Sequence, residues 1–230
     1  WGIKKEDYEY KNELFGPILC VMRADDLDDA INLVNGTPFG LTSGIESLST
    51  KEVNHWKNKV TAGNLYANRS TTGAIVQRQP FGGLKASSFG FGMKAGGPNY
   101  VRQFIKHTTK DISKNLLKKH FTTVYKTHFK NEIDCSKIRG QHNILRYKKA
   151  EKIIIIVDQN TKNEDLEIVL ISCEILELSF IIYSVKSINH LNYKTLKIDK
   201  FQIVLKDIDE NTLIRSLVTN PPVEFLRECH

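Results

Sequence analysis

The sequence predicts an α/β protein, and three observations carry that expectation. Apolar runs of strand length fall at 17–22, 41–45, 63–68, 152–158, 180–185 and 201–205, separated by stretches of helical periodicity. The runs in the second half are apolar almost throughout, as strands of a parallel sheet covered on both faces are. Helix caps and stop signals sit at the boundaries between them.

Taken in order, the run Pro17-Ile-Leu-Cys-Val-Met22 reads as a short buried strand, which would make Cys20 a buried structural cysteine. Asp25-Asp-Leu-Asp-Asp29 supplies a cap and an acidic first turn for a helix carrying Leu27, Ala30, Ile31 and Val34, stopped at Asn35-Gly36. Residues 41–45 form a second strand. A second helix over 49–60 is opened by Ser49 or Thr50 with Glu52 behind, and 63–68 is a third strand. Residues 106–130 are lysine-rich, with apolar residues at 112, 116, 117, 121, 124, 125 and 129 making one helical face. A membrane-surface or partner helix would look this way; the plainer reading is a connector that packs on its own protein. Beyond 139, strand 152–158, a helix from Asn163 through Leu178, strand 180–185, strand 201–205 and a helix over 210–218 indicate a parallel sheet.

Composition narrows the function. The 230 residues hold one large or two small domains, and an apolar fraction of 40% is enough for a core. The net charge of +7 comes from lysines spread along the chain, which argues for solvation rather than nucleic acid. Four cysteines at 20, 135, 173 and 229 form no Cys-x-x-Cys pair and no zinc spacing, so no metal site is expected. A reduced, cytoplasmic protein is the simplest expectation. No run approaches the roughly 18 apolar residues of a membrane span. The chain opens on Trp1 rather than Met, as a piece of something longer would.

The stretch from Tyr66 to Gly90 is the richest in chemistry, with four glycines and a run of small polar residues. Consecutive N–H groups at Thr71-Thr-Gly-Ala74 could hold a carboxylate, because glycine brings the main chain close to an anion. Phe81 could shield an aliphatic stem. Glu13-Leu-Phe-Gly-Pro17 holds a carboxylate two residues before an aromatic ring, able to meet a ribose diol and a flat heterocycle; a surface turn with a packed Phe is the plainer reading. Gly90-Phe-Gly-Met-Lys-Ala95 matches a dinucleotide pattern in letters alone, since no strand precedes it. The first strand of the second half is followed by Asp158-Gln-Asn-Thr161, without the glycines that pyrophosphate needs. His142 and His190 read as surface or capping residues.

Glu13-x-Phe15-Gly-Pro17, Thr37-Pro-Phe-Gly-Leu-Thr-Ser-Gly44, Gly63-Asn-Leu-Tyr-Ala-Asn-Arg69 and Arg78-Gln-Pro-Phe-Gly-Gly83, in that order, resemble the C-terminal part of an aldehyde dehydrogenase. Thr72-Gly-Ala-Ile-Val-Gln-Arg-Gln-Pro-Phe-Gly-Gly83 with Lys94-Ala-Gly-Gly-Pro-Asn-Tyr100 is more specific. It is similar to L-glutamate γ-semialdehyde (Δ1-pyrroline-5-carboxylate) dehydrogenase, above all the dehydrogenase module of bifunctional proline utilisation A. Gly140-Gln-His-Asn-Ile-Leu-Arg-Tyr147 and the tail Pro222-Val-Glu-Phe-Leu-Arg-Glu228 resemble the non-catalytic Rossmann-like domain that ends the longer members.

The resemblance implies part of an aldehyde dehydrogenase catalytic domain at 1–106, a basic helical connector at 107–138 and a shortened Rossmann-like accessory domain at 139–230. It implies oxidation of L-glutamate γ-semialdehyde with NAD as cofactor, and FAD only where a proline dehydrogenase domain lies upstream. By position, Glu13 would bind the nicotinamide ribose and Phe15 the nicotinamide side. Gly73 and Ala74 would bind the substrate carboxylate and Phe81 the aliphatic part. In the family the nucleophilic cysteine, its general base and the NAD-binding domain precede the Glu-x-Phe-Gly-Pro motif. The chain alone is therefore expected to be inactive, with the N-terminal dehydrogenase or proline dehydrogenase domains as partners and self-association through the uncovered face. A non-catalytic oligomerisation or interaction remnant of that family is the alternative, and a basic nucleic-acid or membrane-surface binder centred on 106–130 a further one.

Overall fold

A cap starts each of the two longer helices in the first half. A computed structural model describes residues 1–75, 78–89, 93–106, 113–150, 152–184 and 205–207. The chain divides into two units, 1–108 with 133–145 and 109–132 with 146–230. In the first unit a single turn of helix, α1 (Tyr8–Lys11), precedes α2 (Leu27–Asn35), whose Asp26 carboxylate accepts the Asp29 N–H at 2.8 Å. After β1 (Phe39–Gly40) and β2 (Thr42–Ile45) comes α3 (Thr50–Lys59), where the Ser49 hydroxyl accepts the Glu52 N–H. These bonds satisfy donors that a helix start leaves unpaired.

β3 (Asn64–Ala67) runs parallel to β2 in the register Ser43↔Leu65, so β2, α3 and β3 form one β-α-β crossover. Its core is Ile31 from α2, Trp56 from α3 and Val60, with Leu27, Ile45, Ala62 and Leu65 packed around them. Each such large apolar side chain removed from water contributes about 1.5–3 kcal/mol before entropy is set against it. β4 (Leu84–Lys85) returns antiparallel to β1. A short 3-10 helix covers Tyr100–Phe104. The hairpin of β5 (Ile133–Asp134) and β6 (Ile144–Leu145) completes the unit. The Asp134 carboxylate receives the N–H groups of Ser136, Lys137 and Asn143, which closes the hairpin loop and holds its carboxyl below the usual carboxylate range.

The expected strand over 17–22 does not form. Gly2 and Ile3 donate to the Val21 carbonyl, yet the described residues supply no ladder along the run. Ile18 and Leu19 are exposed, at 61% and 85%. Cys20 is exposed as well, which corrects its reading as a buried structural cysteine. An apolar run becomes a strand only where neighbours pair its backbone and cover its faces, and sequence cannot tell whether they do.

In the second unit α4 (Lys114–Val124) continues into a π-helical turn over Tyr125–Phe129. Its lysines pair with a neighbouring helix, Lys114 with Glu167 and Lys118 with Glu174 at 2.6 Å, so it packs on its own protein. That neighbour is α5 (Asn163–Leu176), which links β7 (Lys152–Val157) to β8 (Ser179–Ser184). β9 (Leu205–Asp207) follows, and the sheet is parallel in the order β7-β8-β9. Ile153, Ile155, Val157, Leu166, Leu170, Cys173, Leu178, Phe180 and Ile182 bury together. One face of the near-continuous apolar strands thus buries against α5. α5 ends two residues before Leu178, because Glu177 turns left-handed at φ 51 and the Leu178 N–H caps the Cys173 carbonyl at 2.9 Å. The expected strand residues 185 and 201–204, the helix over 210–218, His190 and Gly90 lie outside the described residues.

Candidate functional site

β3 delivers the chain into the glycine-rich loop. Tyr66 is buried at 3%, and Arg69, three residues on, stacks its guanidinium 5.1 Å from the Tyr66 ring centroid. Gln79 donates its side-chain amide to the Tyr66 hydroxyl at 2.5 Å, so both ends of the loop tie to one ring. Within it the Ser70 and Thr72 hydroxyls lie 2.7 Å apart, and the Ser70 oxygen accepts the Thr72 N–H. Gly73 takes φ +80, with open space where a Cβ would stand. That left-handed turn is one glycine adopts without strain.

Gly73 opens onto a concavity lined by Arg69, Ile75, Arg78, Gln79, Gln141 and Asn143. Two arginines, Gly73 and three residues with amide side chains line it, so the residues around it are cationic and rich in donors. Guanidiniums fork onto carboxylates, so the arrangement is chemically suited to a small carboxylate. Asn143 is held by its own side-chain bond to the Ser136 hydroxyl at 2.9 Å and is buried at 9%.

Of the residues singled out from sequence, Gly73 lines this concavity. Ala74 follows it on the exposed loop and does not line the concavity. Phe81 is half-buried and pairs by antiparallel bridge with Ala95, the two N–H groups donating to the opposite carbonyls at 3.0 and 2.8 Å. It is not part of the concavity lining. Glu13 and Phe15 lie on an exposed irregular segment, Phe15 at 97%, and do not line the concavity either. Reading the sequence missed Arg69 and Arg78 as site residues although both sit inside quoted motifs. It could not find Gln141 and Asn143, which join from some seventy positions away through the hairpin.

Two of the described thiols, Cys135 and Cys173, are shifted away from the nucleophilic thiolate. Burial pushes the Cys135 thiol up, and the Asp134 carboxylate beside it adds to the rise. Burial in the parallel sheet's core pushes Cys173 up to about 11. An attacking thiol needs the opposite shift. Among the described residues no group of His, Cys, Asp and Glu could hold a metal ion, and no helix is long and apolar enough to cross a membrane.

Residues 1–110 match the aldehyde dehydrogenase family. This stretch is similar to one segment of an aldehyde dehydrogenase domain. A 1-pyrroline-5-carboxylate dehydrogenase of Oceanobacillus iheyensis is 40% identical over 95 residues, which is 41% of this chain and 18% of that protein. The bifunctional protein PutA of Rhizobium meliloti is 43% identical over 99 residues, 42% of this chain and 8% of that one. The chain therefore spans less than a fifth of either relative. A solved structure of proline utilization A (PutA) from Corynebacterium freiburgense superposes with a TM-score of 0.67 at 30% identity, covering 90% of this chain and 25% of that chain. The mixed helix-and-strand architecture is thus similar to PutA well beyond the aldehyde dehydrogenase segment.

Proposed function

We propose that the chain supplies the C-terminal part of an NAD-dependent dehydrogenase that oxidises L-glutamate γ-semialdehyde to L-glutamate in proline catabolism. The observation that carries this reading is the placement of Gly73 between Arg69 and Arg78 in one donor-rich concavity. Such a substrate carries an α-carboxylate remote from the aldehyde, and a carboxylate anchor fixes the aldehyde's position at a distance. The names of the relatives support the same substrate.

Gly73 donates to that carboxylate, with Arg69 and Arg78 adding charge; the resemblance adds the N–H of Ala74, next along the loop, and Phe81 as the wall of the aliphatic stem, both outside the concavity lining. Glu13 accepts from the nicotinamide ribose and Phe15 offers a ring face to the nicotinamide; a carboxylate and an uncovered ring suit those contacts in chemistry. NAD would supply the hydride acceptor, with Glu13 and Phe15 as the residues of this chain that would hold its nicotinamide end. The division is 1–106 for the dehydrogenase part, 107–138 for the connector and 139–230 for a Rossmann-like accessory domain, which the parallel order β7-β8-β9 supports. FAD enters only with a proline dehydrogenase domain.

The test is complementation. The chain is mixed with the N-terminal remainder of a matching dehydrogenase, and NADH formation from the semialdehyde is followed at 340 nm. No turnover by the chain alone and turnover by the mixture is the expected result. A folded chain that never complements overturns the enzyme reading, and turnover by the chain alone overturns its inactivity. An interaction module is the second reading, favoured by the exposure of Phe15 at 97% and Leu19 at 85%. Concentration-dependent self-association that persists without complementation supports it.

A further inference from the structure

Gly82 lies where three backbone segments meet. The Lys94 ammonium donates to the carbonyls of Gly63 at 2.5 Å and Gly82 at 2.8 Å, and to Asn64 Oδ1 at 3.3 Å. Asn64 is buried at 7% and uses both ends of its amide. Its Nδ2 donates to the carbonyls of Leu41 and Gly82 at 2.8 and 3.1 Å, while its Oδ1 accepts the Gly82 N–H at 3.4 Å. Gly82 is therefore held by both its N–H and its carbonyl. The acceptors of Lys94 among the described residues are all neutral, with no carboxylate among them, and burial lowers its ammonium from the ordinary 10.5 to about 8. A lysine kept in that setting serves geometry rather than charge pairing.

We propose that Lys94 is a positioning residue: with Asn64 it staples the turn at Gly82 to the head of β3, and so fixes Phe81, one residue upstream. Ala95, the backbone partner of Phe81, follows Lys94 directly, so a single side chain anchors both strands of that bridge. The staple rests on the reading above only for the meaning given to Phe81 as a substrate wall.

Amide hydrogen exchange, read residue by residue by NMR, tests it in the full chain. In Lys94→Met, protection at Phe81 and Ala95 falls at least about tenfold while Ile31 and Trp56 in α2 and α3 stay within about twofold. A Lys94→Cys variant with Cys20, Cys135 and Cys229 replaced by serine, then aminoethylated to rebuild a lysine-length amine, regains the protection. Unchanged protection at Phe81, a uniform loss across the unit, or no rescue overturns the proposal. Should Lys94→Met not fold, reductive methylation of the native chain decides instead. With each rate extrapolated from its own pH dependence to the fully unprotonated amine, the stapled amine reacts at least about tenfold more slowly than exposed Lys51, and an equal or faster extrapolated rate overturns it. A chain in which Lys94→Met loosens Phe81 yet still complements fully refutes the role of Phe81, not the staple.

Discussion

Replacing Gly63 with alanine drives a methyl into the turn that Lys94 holds. The new Cβ meets the Gly82 carbonyl oxygen head-on and stands 2.8 Å from both the Gly82 carbonyl carbon and the Gly83 Cα. Non-bonded carbons rest at about 3.5–4.0 Å, so the turn must retreat by roughly 0.7 Å or more. That retreat carries the Gly82 carbonyl away from Lys94 Nζ at 2.8 Å and Asn64 Nδ2 at 3.1 Å, to the edge of hydrogen-bond range. Overpacking of this kind costs about 1–3 kcal/mol, and weakening bonds to a buried carbonyl adds about 1 kcal/mol or more. The expected loss is about 3 kcal/mol in the first unit. Gly73→Ala is the control: a Cβ there meets nothing within 4 Å, and only the positive φ of +80 opposes it, at about 1–2 kcal/mol. Urea unfolding followed by Trp56 fluorescence, in a Trp1→Phe background, reports the first unit alone. The comparison is valid where the m-value is unchanged. A Gly63→Ala penalty below about 0.5 kcal/mol, or one equal to that of Gly73→Ala, refutes the reasoning.

Ile182→Ala, at a side chain 1% exposed in the second unit's core, should cost about 2–5 kcal/mol, visible as a lower urea midpoint by far-UV circular dichroism. In a Cys229→Ser background at pH 8, a thiol reagent should label exposed Cys20 first, Cys135 more slowly because its thiol is shifted up, and buried Cys173 only on opening of the sheet; labelling of Cys173 as fast as Cys20 contradicts the packing. Lys94 gives a pH signature. Its folded pKa of about 8 lies below the unfolded 10.5, so the unfolded chain holds that proton more tightly, and the stability linked to Lys94 is full above 10.5 and lost as pH falls to 8. The stability difference between the native chain and Lys94→Met should therefore shift towards the native chain as pH rises from 8 to 10.5 and stay flat below 8, as measured by urea midpoints across that range. Arg78→Gln should weaken complemented turnover through KM at least about tenfold with kcat nearly kept, since it removes charge from the carboxylate end rather than from the reacting carbon.

Local chemistry alone fixed much of the fold. Asp26 and Ser49 start their helices from the sequence because a cap acts within three residues, and Asn35-Gly36 stops one for the same reason. The runs at 42–45, 64–67, 152–157 and 179–184 were legible as strands because each pairs with a neighbour in its own β-α-β unit, and the motif order alone pointed to an aldehyde dehydrogenase. What acts at a distance was not legible. Residues 17–22 carry a strand's composition, yet pairing and cover come from other parts of a chain, and the described residues supply only the Gly2 and Ile3 bonds to Val21, so Ile18, Leu19 and Cys20 stand in solvent. Gly73 could be named from its loop, but Gln141 and Asn143 reach the same concavity only through a hairpin whose closure depends on Asp134. Lys94 reads as one more surface lysine among many until the fold brings three acceptors around its ammonium. Sequence determines what a residue can donate, accept or bury over one turn of chain; which partners it finds across tens of residues is decided by tertiary packing.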